Sequence, residues 1–204
     1  MSIDKVSIYI RNISATPLIC TRSVLATHLA AHDELTGLPN RRLYADRFGQ
    51  AVARAARDGS GFGFLVIDLN RFKLVNDTLG HQAGDDVLKE VSDRFRSVLR
   101  GIDTLARTGG DEFTVILEGV SNLPDAEAVG DALQKSLDVP ITLEDGPYHA
   151  SASVGAAVYP GDGLTQIQLH AVADERMYAG KEQYRIDSAR YGNRSFQASC
   201  RLDT

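Results

Sequence analysis

Six consecutive residues, Phe62-Gly63-Phe64-Leu65-Val66-Ile67, carry no polar side chain, and the run stops on Asp68. A strand with one wet face alternates apolar and polar residues; an unbroken apolar run marks a strand buried on both faces. This chain must therefore supply cover above and below a sheet. The cover is legible nearby. Asn40 is a good N-cap for a helix to about Arg57, with Leu43, Phe48 and Val52 among its apolar positions. From about Asp85 to Arg100, residues Val87, Leu88, Val91, Phe95, Val98 and Leu99 fall on one helical stripe that Gly101 terminates. Pro124 to Leu137 and Gln166 to about Gln183 read as two more amphipathic helices.

Shorter β-like runs lie between them. Thr104–Arg107 and Phe113–Leu117 flank Gly109-Gly110 and read as a hairpin with a primed turn. Val139–Leu143 and Tyr148–Val158 flank Glu144-Asp145-Gly146 and read as two further strands. Helices interleaved with hairpins argue for an α/β (α+β) fold, with a central mixed, mostly antiparallel sheet surrounded by helices.

The 204 residues suit one domain with an appendage. Lys and Arg number 22 against 27 Asp and Glu, a net charge of −5, which is a poor match to a duplex-DNA binder and leaves room for a nucleotide held by a few local cations. Cys20 and Cys200 are too few and too far apart for a disulfide scaffold or a zinc site. No stretch approaches the roughly 18 apolar residues that span a membrane, and the start lacks a secretory apolar run, so the expectation is a cytoplasmic protein with no membrane segment. Residues 1–21, including the strand-like Val6–Ile10, read as a linker or the remnant of an upstream sensor segment. Residues 22–32 read as a helix in which His28 and His32, spaced by four, form an ordinary face because no third metal ligand is near.

Three carboxylates stand out. Asp68 ends the apolar strand, and Asp111-Glu112 begins a strand after a glycine turn. Pairing of the two strands brings all three within a few ångströms, an oxygen set suited to Mg²⁺, which keeps waters and is completed by substrate phosphates. After Asp68, the loop through Lys73 offers backbone N–H groups and one flexible cation to a phosphate. Asn76 and Asp85 present the donors and acceptors that complement the N1–H, exocyclic amine and O6 of guanine.

These residues also spell a family signature. Gly109-Gly110-Asp111-Glu112-Phe113 is the GGDEF motif, and the chain resembles the catalytic domain of diguanylate cyclases. The resemblance runs through Asp33-x-Leu35-Thr36-Gly37-Leu38-Pro39-Asn40-Arg41, Asp68 to His81, Gly84-Asp85, Ser153-Val154-Gly155, Tyr159-Pro160, Ala173-Asp174 and Met177-Tyr178-x-x-Lys181. It implies a palm-like nucleotidyl-cyclase fold over residues 33–187, preceded by a PAS-like remnant and a signalling helix, with 188–204 as a tail. It implies an enzyme, a nucleotidyltransferase, that joins two GTP into cyclic di-GMP with release of two pyrophosphates. Asp68, the Leu69 carbonyl and Glu112 would hold Mg²⁺, with Mn²⁺ as an alternative, and Asp111 would serve at the reacting 3′-hydroxyl as metal ligand or proton acceptor. Asn76 and Asp85 would read guanine; Phe72 (through its backbone), Lys73, Lys181 and Arg185 would contact phosphates; Gly109 and Gly110 would let the nucleotide lie against the backbone.

The resemblance further implies a product-inhibition site at Arg100 and Asp103, and a homodimer, because each domain holds one GTP. The isolated chain is expected to have low activity, raised by fusing a dimerising coiled coil. A second reading is a catalytically weak module that binds GTP or cyclic di-GMP as a sensor; intact Asp68, Lys73, Asp111 and Glu112 argue against it. A phosphodiesterase would need a separate large domain. Two departures from the family pattern are Asn70, where Asp is common, and Tyr184, where Gly precedes Arg185.

Overall fold

The computed structural model describes residues 31–191, with side chains described as far as Ala179. The elements run α1 (Arg41–Asp58), β1 (Phe62–Leu69), α2 (Phe72–Val98), β2 (Thr104–Arg107), β3 (Glu112–Glu118), α3 (Leu123–Lys135), β4 (Ile141–Leu143), β5 (Gly146–Tyr148), β6 (Ala152–Tyr159) and α4 (Gln166–Tyr191). The strand expected at Val6–Ile10, the helix from Arg22 to the start of the described chain, both cysteines and the tail after Tyr191 lie outside the described residues.

The main sheet has the order β2-β3-β1-β6, and each neighbouring pair is antiparallel. The apolar run is thus a central strand, as its lack of alternation requires. Its two faces feed two cores. Leu65, Ile67 and Leu69 join Phe113, Val115 and Leu117 beneath α2 and α3. Phe62, Phe64 and Val66 join Ile116 and Ala157 beneath α1 and α4. The expected α+β class is therefore present as a three-layer sandwich of helices, sheet and helices.

Local chemistry accounts for the element ends. The Asn40 side chain accepts from the backbone N–H groups of Arg42 and Leu43 at 3.0 and 3.2 Å, and Gly59 closes α1 in the left-handed conformation, φ 64°. The buried stripe of α1 is Tyr44, Phe48, Ala51 and Ala55, so Leu43 and Val52 lie at its margins rather than in it. Helix α2 begins at Phe72, well before the Asp85 expected from periodicity, and is bent at Gly80 (φ 85°, ψ 164°). Its first segment, 72–79, buries only Phe72 and Val75, too weak a stripe to show in the pattern.

Two strand expectations are corrected. The run Tyr148–Val158 is not continuous: β5 and β6 are separate, and β4–β5 form their own two-stranded sheet. Pro147 in β5 has no N–H to donate, which suits a marginal strand. The β2–β3 connection is also not a two-residue primed turn. The N–H groups of Thr108 and Gly109 both donate to the Glu112 carbonyl, at 3.0 and 3.3 Å, and neither Gly109 nor Gly110 adopts the left-handed φ of a primed turn. A Cβ on Gly109 would lie 2.6 Å from Glu112 Oε2 and 3.1 Å from Glu112 Cβ, so that exposed side chain would have to turn aside.

Candidate active site

The register of β1 builds the site. Asp68 lies directly opposite Glu112 on one side and Ser153 on the other. Directly opposed residues share a face with Cβ atoms about 5 Å apart, so the two carboxylates flank one corner where the α1/α4 layer ends. The Leu69 N–H donates to the Asp111 carbonyl at 3.2 Å, drawing the glycine-rich loop onto the end of β1. Asp68 and Asp111 are half-buried and Glu112 is exposed.

The expected convergence of all three side chains is only partly met. Among the described residues, no three His, Cys, Asp or Glu side chains are grouped closely enough to hold a metal ion by themselves. Asp111 and Glu112 are adjacent, and extended backbone sends neighbours to opposite faces. What the corner offers is a pair of carboxylates, with the Asp111 backbone tied alongside. That set suits a hard cation of the Mg²⁺ type, which takes one or two carboxylates and completes its shell with water and phosphate oxygens.

Beyond the corner, Arg71 precedes α2 with φ 59° and no side-chain cap, leaving Phe72 and Lys73 in the first turn of a helix with no acidic residue there. The first N–H groups of a helix have no intrahelical partner and carry its positive dipole end. Lys73 is exposed in this first turn. Across the bend at Gly80, Asn76 meets the second segment of α2: a Cβ on buried Gly84 would lie 2.0 Å from Asn76 Oδ1. Asp85 follows Gly84 and is half-buried. Gly84 itself was not singled out as a site residue; its signal was a glycine inside an apolar helical stripe.

Asn70 ties β1 to β6. Its N–H donates to the Ser151 carbonyl at 2.8 Å, its Oδ1 accepts from Ser153 Oγ at 2.8 Å, and its Nδ2 donates to Ser151 Oγ at 3.3 Å. An aspartate would have to accept from the Ser151 hydroxyl there instead. A cavity of about 320 Å³, lined in part by Asn70, Ser151, Ser153, Gln134 and Met177, opens at this edge; Asp68, Asp111 and Glu112 do not line it.

The Arg100 guanidinium grips the Asp103 carboxylate through Nε (3.1 Å) and Nη2 (3.0 Å), and Nη2 also donates to the Glu118 carbonyl at 3.0 Å. The Asp103 side chain is only 2% exposed and accepts from the Glu118 N–H as well, whereas Arg100 is 55% exposed. Bonding and charge from Asp103 raise the Arg100 pKa further above its ordinary value. This pair sits at the far end of β3 from Glu112, about 20 Å away at ~3.3 Å per residue.

On the opposite side of the glycine loop, Arg107 donates to the Gly110 carbonyl and to both oxygens of Asp33. Neither Arg107 nor Asp33 was read from the sequence as part of the site, since nothing in their spacing links them.

Residues 30–186 match the family model described as diguanylate cyclase, GGDEF domain. The chain belongs to this family. The bifunctional diguanylate cyclase/cyclic di-GMP phosphodiesterase MucR of Pseudomonas aeruginosa is 45% identical over 157 residues, covering 77% of this chain and 23% of that protein. Diguanylate cyclase TpbB of P. aeruginosa is 42% identical over 159 residues, covering 78% of this chain and 37% of its own. The solved GGDEF domain of TpbB superposes with a TM-score of 0.70 at 41% identity, covering 74% of this chain and 89% of that one. The coiled coil and GGDEF domain of DgcB from Caulobacter crescentus, solved with cyclic di-GMP, gives 0.71 at 26% identity, covering 88% and 92%. The chain thus spans well under half of the length of these curated relatives.

Within the GGDEF domain, Lys181 and Arg185 fall on α4 at positions whose side chains lie outside the described residues. The backbone spacing is informative. Leu169, Ala173 and Met177 recur every fourth residue along the face packed on the sheet. No helix among the described residues is long and apolar enough to cross a membrane.

Proposed function

We propose that this GGDEF domain is an active diguanylate cyclase, working in the cytoplasm on GTP. The observation that carries the reading is the Asp68–Glu112 register, with Asp111 bonded to Leu69 at the end of a fully buried strand. The reaction is two successive transfers. The 3′-oxygen of one GTP attacks the α-phosphorus of the other, its proton leaves, and pyrophosphate departs; the second attack closes the ring.

Asp68, the Leu69 carbonyl and Glu112 would hold Mg²⁺ or Mn²⁺, which when bound supplies charge neutralisation at the α-phosphate and eases loss of the hydroxyl proton. Asp111 lies beside this set to orient or deprotonate the 3′-hydroxyl. Lys73 and the first turn of α2 hold phosphate, joined by Lys181 and Arg185 from α4. Asn76 and Asp85 read the guanine edge. Gly110 faces open space, room for a nucleotide against the backbone. Glu112 is exposed at an open corner, which supports a reaction between two domains facing each other, each bringing one GTP. Arg100 and Asp103 are proposed as the inhibitory product site, where an exposed guanidinium fork already shaped by a carboxylate can meet phosphate and guanine.

The rival reading is a module that binds GTP or cyclic di-GMP without cyclising. Incubation with GTP and Mg²⁺, followed by chromatography for cyclic di-GMP, separates the two. Product from the parent and none from Asp111→Ala supports the cyclase; product from both removes Asp111 from its role; product from neither, with nucleotide still bound, supports the rival.

A further inference from the structure

At the end of β1 the backbone turns its polar groups to alternate neighbours, as an antiparallel central strand must. The Leu69 N–H goes to the Asp111 carbonyl at 3.2 Å, and the Asn70 N–H goes the other way, to the Ser151 carbonyl at 2.8 Å. The Leu69–Asn70 peptide is trans, so the Leu69 carbonyl points opposite to the Asn70 N–H, toward the Asp111 loop. A regular ladder would return a bond to that carbonyl from the Asp111 N–H. Among the described residues no such bond is made, so the carbonyl keeps its lone pairs open on the side of Asp111.

One side chain braces this peptide. Asn70 Oδ1 accepts from Ser153 Oγ at 2.8 Å and Nδ2 donates to Ser151 Oγ at 3.3 Å, so with its N–H the residue is tied at three points to the start of β6. Ser153 is buried, and the segment is itself pinned to α3, where Gln134 Nε2 donates to the Ala152 carbonyl at 2.9 Å. The brace has to come from the side because the strand stops here: Arg71 adopts φ 59° and the chain turns into α2. Asp68 lies on the same face two residues earlier, opposite Ser153, so a neutral amide at Asn70 also avoids a second carboxylate beside it.

We propose that Asn70 is a positioning residue for the divalent ion: its bonds to Ser151 and Ser153 hold the Leu69 carbonyl turned toward the corner that Asp68 and Glu112 form. The Asn70 side chain acts through the peptide plane before it rather than by holding the ion itself. Outer groups that orient a metal ligand change ion affinity about tenfold or more when removed. The inference deepens the cyclase reading and rests on it for the use of the ion, but its readouts do not depend on turnover.

The experiment compares the full chain with Asn70→Ala, Asn70→Asp and Ser153→Ala. Each is titrated calorimetrically with a GTP analogue whose α,β-bridging oxygen is replaced by methylene, once with Mn²⁺ and once with EDTA. Asn70→Ala should bind the Mn²⁺ complex about tenfold more weakly, with its metal-free affinity within about twofold of the parent. Asn70→Asp should stay within about threefold of the parent, because its oxygens accept from both serine hydroxyls. Amide exchange at Asn70, read in Ser153→Ala where the Asn70 side chain is intact, should quicken about tenfold while Leu65 and Val115 stay unchanged. Parent-like Mn²⁺ binding by Asn70→Ala, an equal loss without metal, or an equal loss in Asn70→Asp overturns the proposal. So does unchanged exchange at Asn70, equal quickening at Leu65 and Val115, or a parent that binds the analogue equally with and without Mn²⁺. A parent that binds the Mn²⁺ complex more tightly yet makes no cyclic di-GMP overturns the cyclase reading alone.

Discussion

Gly155→Ala is the sharpest test of how the fold presents this site. Gly155 lies in β6 opposite Val66, and α4 passes directly over it. An added Cβ would lie 1.9 Å from the Ala173 carbonyl oxygen, 2.8 Å from its carbon and 2.7 Å from Met177 Cβ. The obstacle is main chain, so no side chain can swing aside. Restoring an ordinary contact of about 3.4 Å requires α4 and β6 to part by about 1.5 Å. Leu169 and Ala173, both fully buried in that layer, would lose contact with Phe64 and Ala157. Overpacking of this kind costs about 1–3 kcal/mol, and a rigid obstacle puts this site at the upper end. For a domain of this size about 3 kcal/mol corresponds to a fall in Tm of roughly 6–12 °C. Thermal unfolding followed by circular dichroism reads it directly, with Gly110→Ala, which meets nothing within 4 Å, as the matched control that keeps the parent Tm. The same displacement moves the turn of α4 carrying Lys181, so KM for GTP should rise. A Gly155→Ala protein melting within about 2 °C of the parent would refute the close-approach argument.

Tyr44→Phe should leave stability unchanged or raise it by up to about 1 kcal/mol: the hydroxyl is buried with no hydrogen-bond partner among the described residues, and burial pushes its phenol pKa upward. Urea unfolding measures it, and a clear loss would mean that the hydroxyl has a partner. Arg100→Ala leaves the nearly fully buried Asp103 carboxylate with backbone donors only, so it should cost about 1–3 kcal/mol in the same assay. It should also weaken inhibition by cyclic di-GMP about tenfold or more, without changing the initial rate of product-free enzyme. Asp33 and Asp162 both have lowered pKa values. For Asp33, burial is outweighed by Thr36 and Arg107; for Asp162, the Arg176 hydrogen bond leads, opposed by burial and helped by Val158 N–H. Depressed carboxylates stabilise the fold above their unfolded value of about 3.9 and lose that contribution as pH falls through the folded values. Urea midpoints should therefore drop as pH falls below about 5, and Asp162→Asn should flatten that dependence.

Local chemistry was enough to read several elements. The Asn40 cap, the unbroken run ending at Asp68 and the stripe from Val87 to Phe95 each depend on neighbours a few residues away, and each stands in the structure as read. The motif residues Asp68, Asn76, Asp85, Asp111 and Glu112 were legible too, because their spacing is carried by the chain itself. Asp68–Glu112 pairing needed only the two strands to be antiparallel neighbours, and that is how they lie.

Long-range contact decided the rest. Gly84 is constrained by Asn76 across a bend, and Gly155 by the backbone of α4 packed over it. A missing side chain looks the same in a sequence whether it serves φ or proximity. Asp33 and Arg107 stand 74 residues apart, and only folding makes them one ion pair. Sequence alone thus determined which motif residues the chain carries and which local elements hold them. The tertiary structure decided which way those residues face and what braces them, because direction and support come from partners that backbone pairing and layer packing bring together.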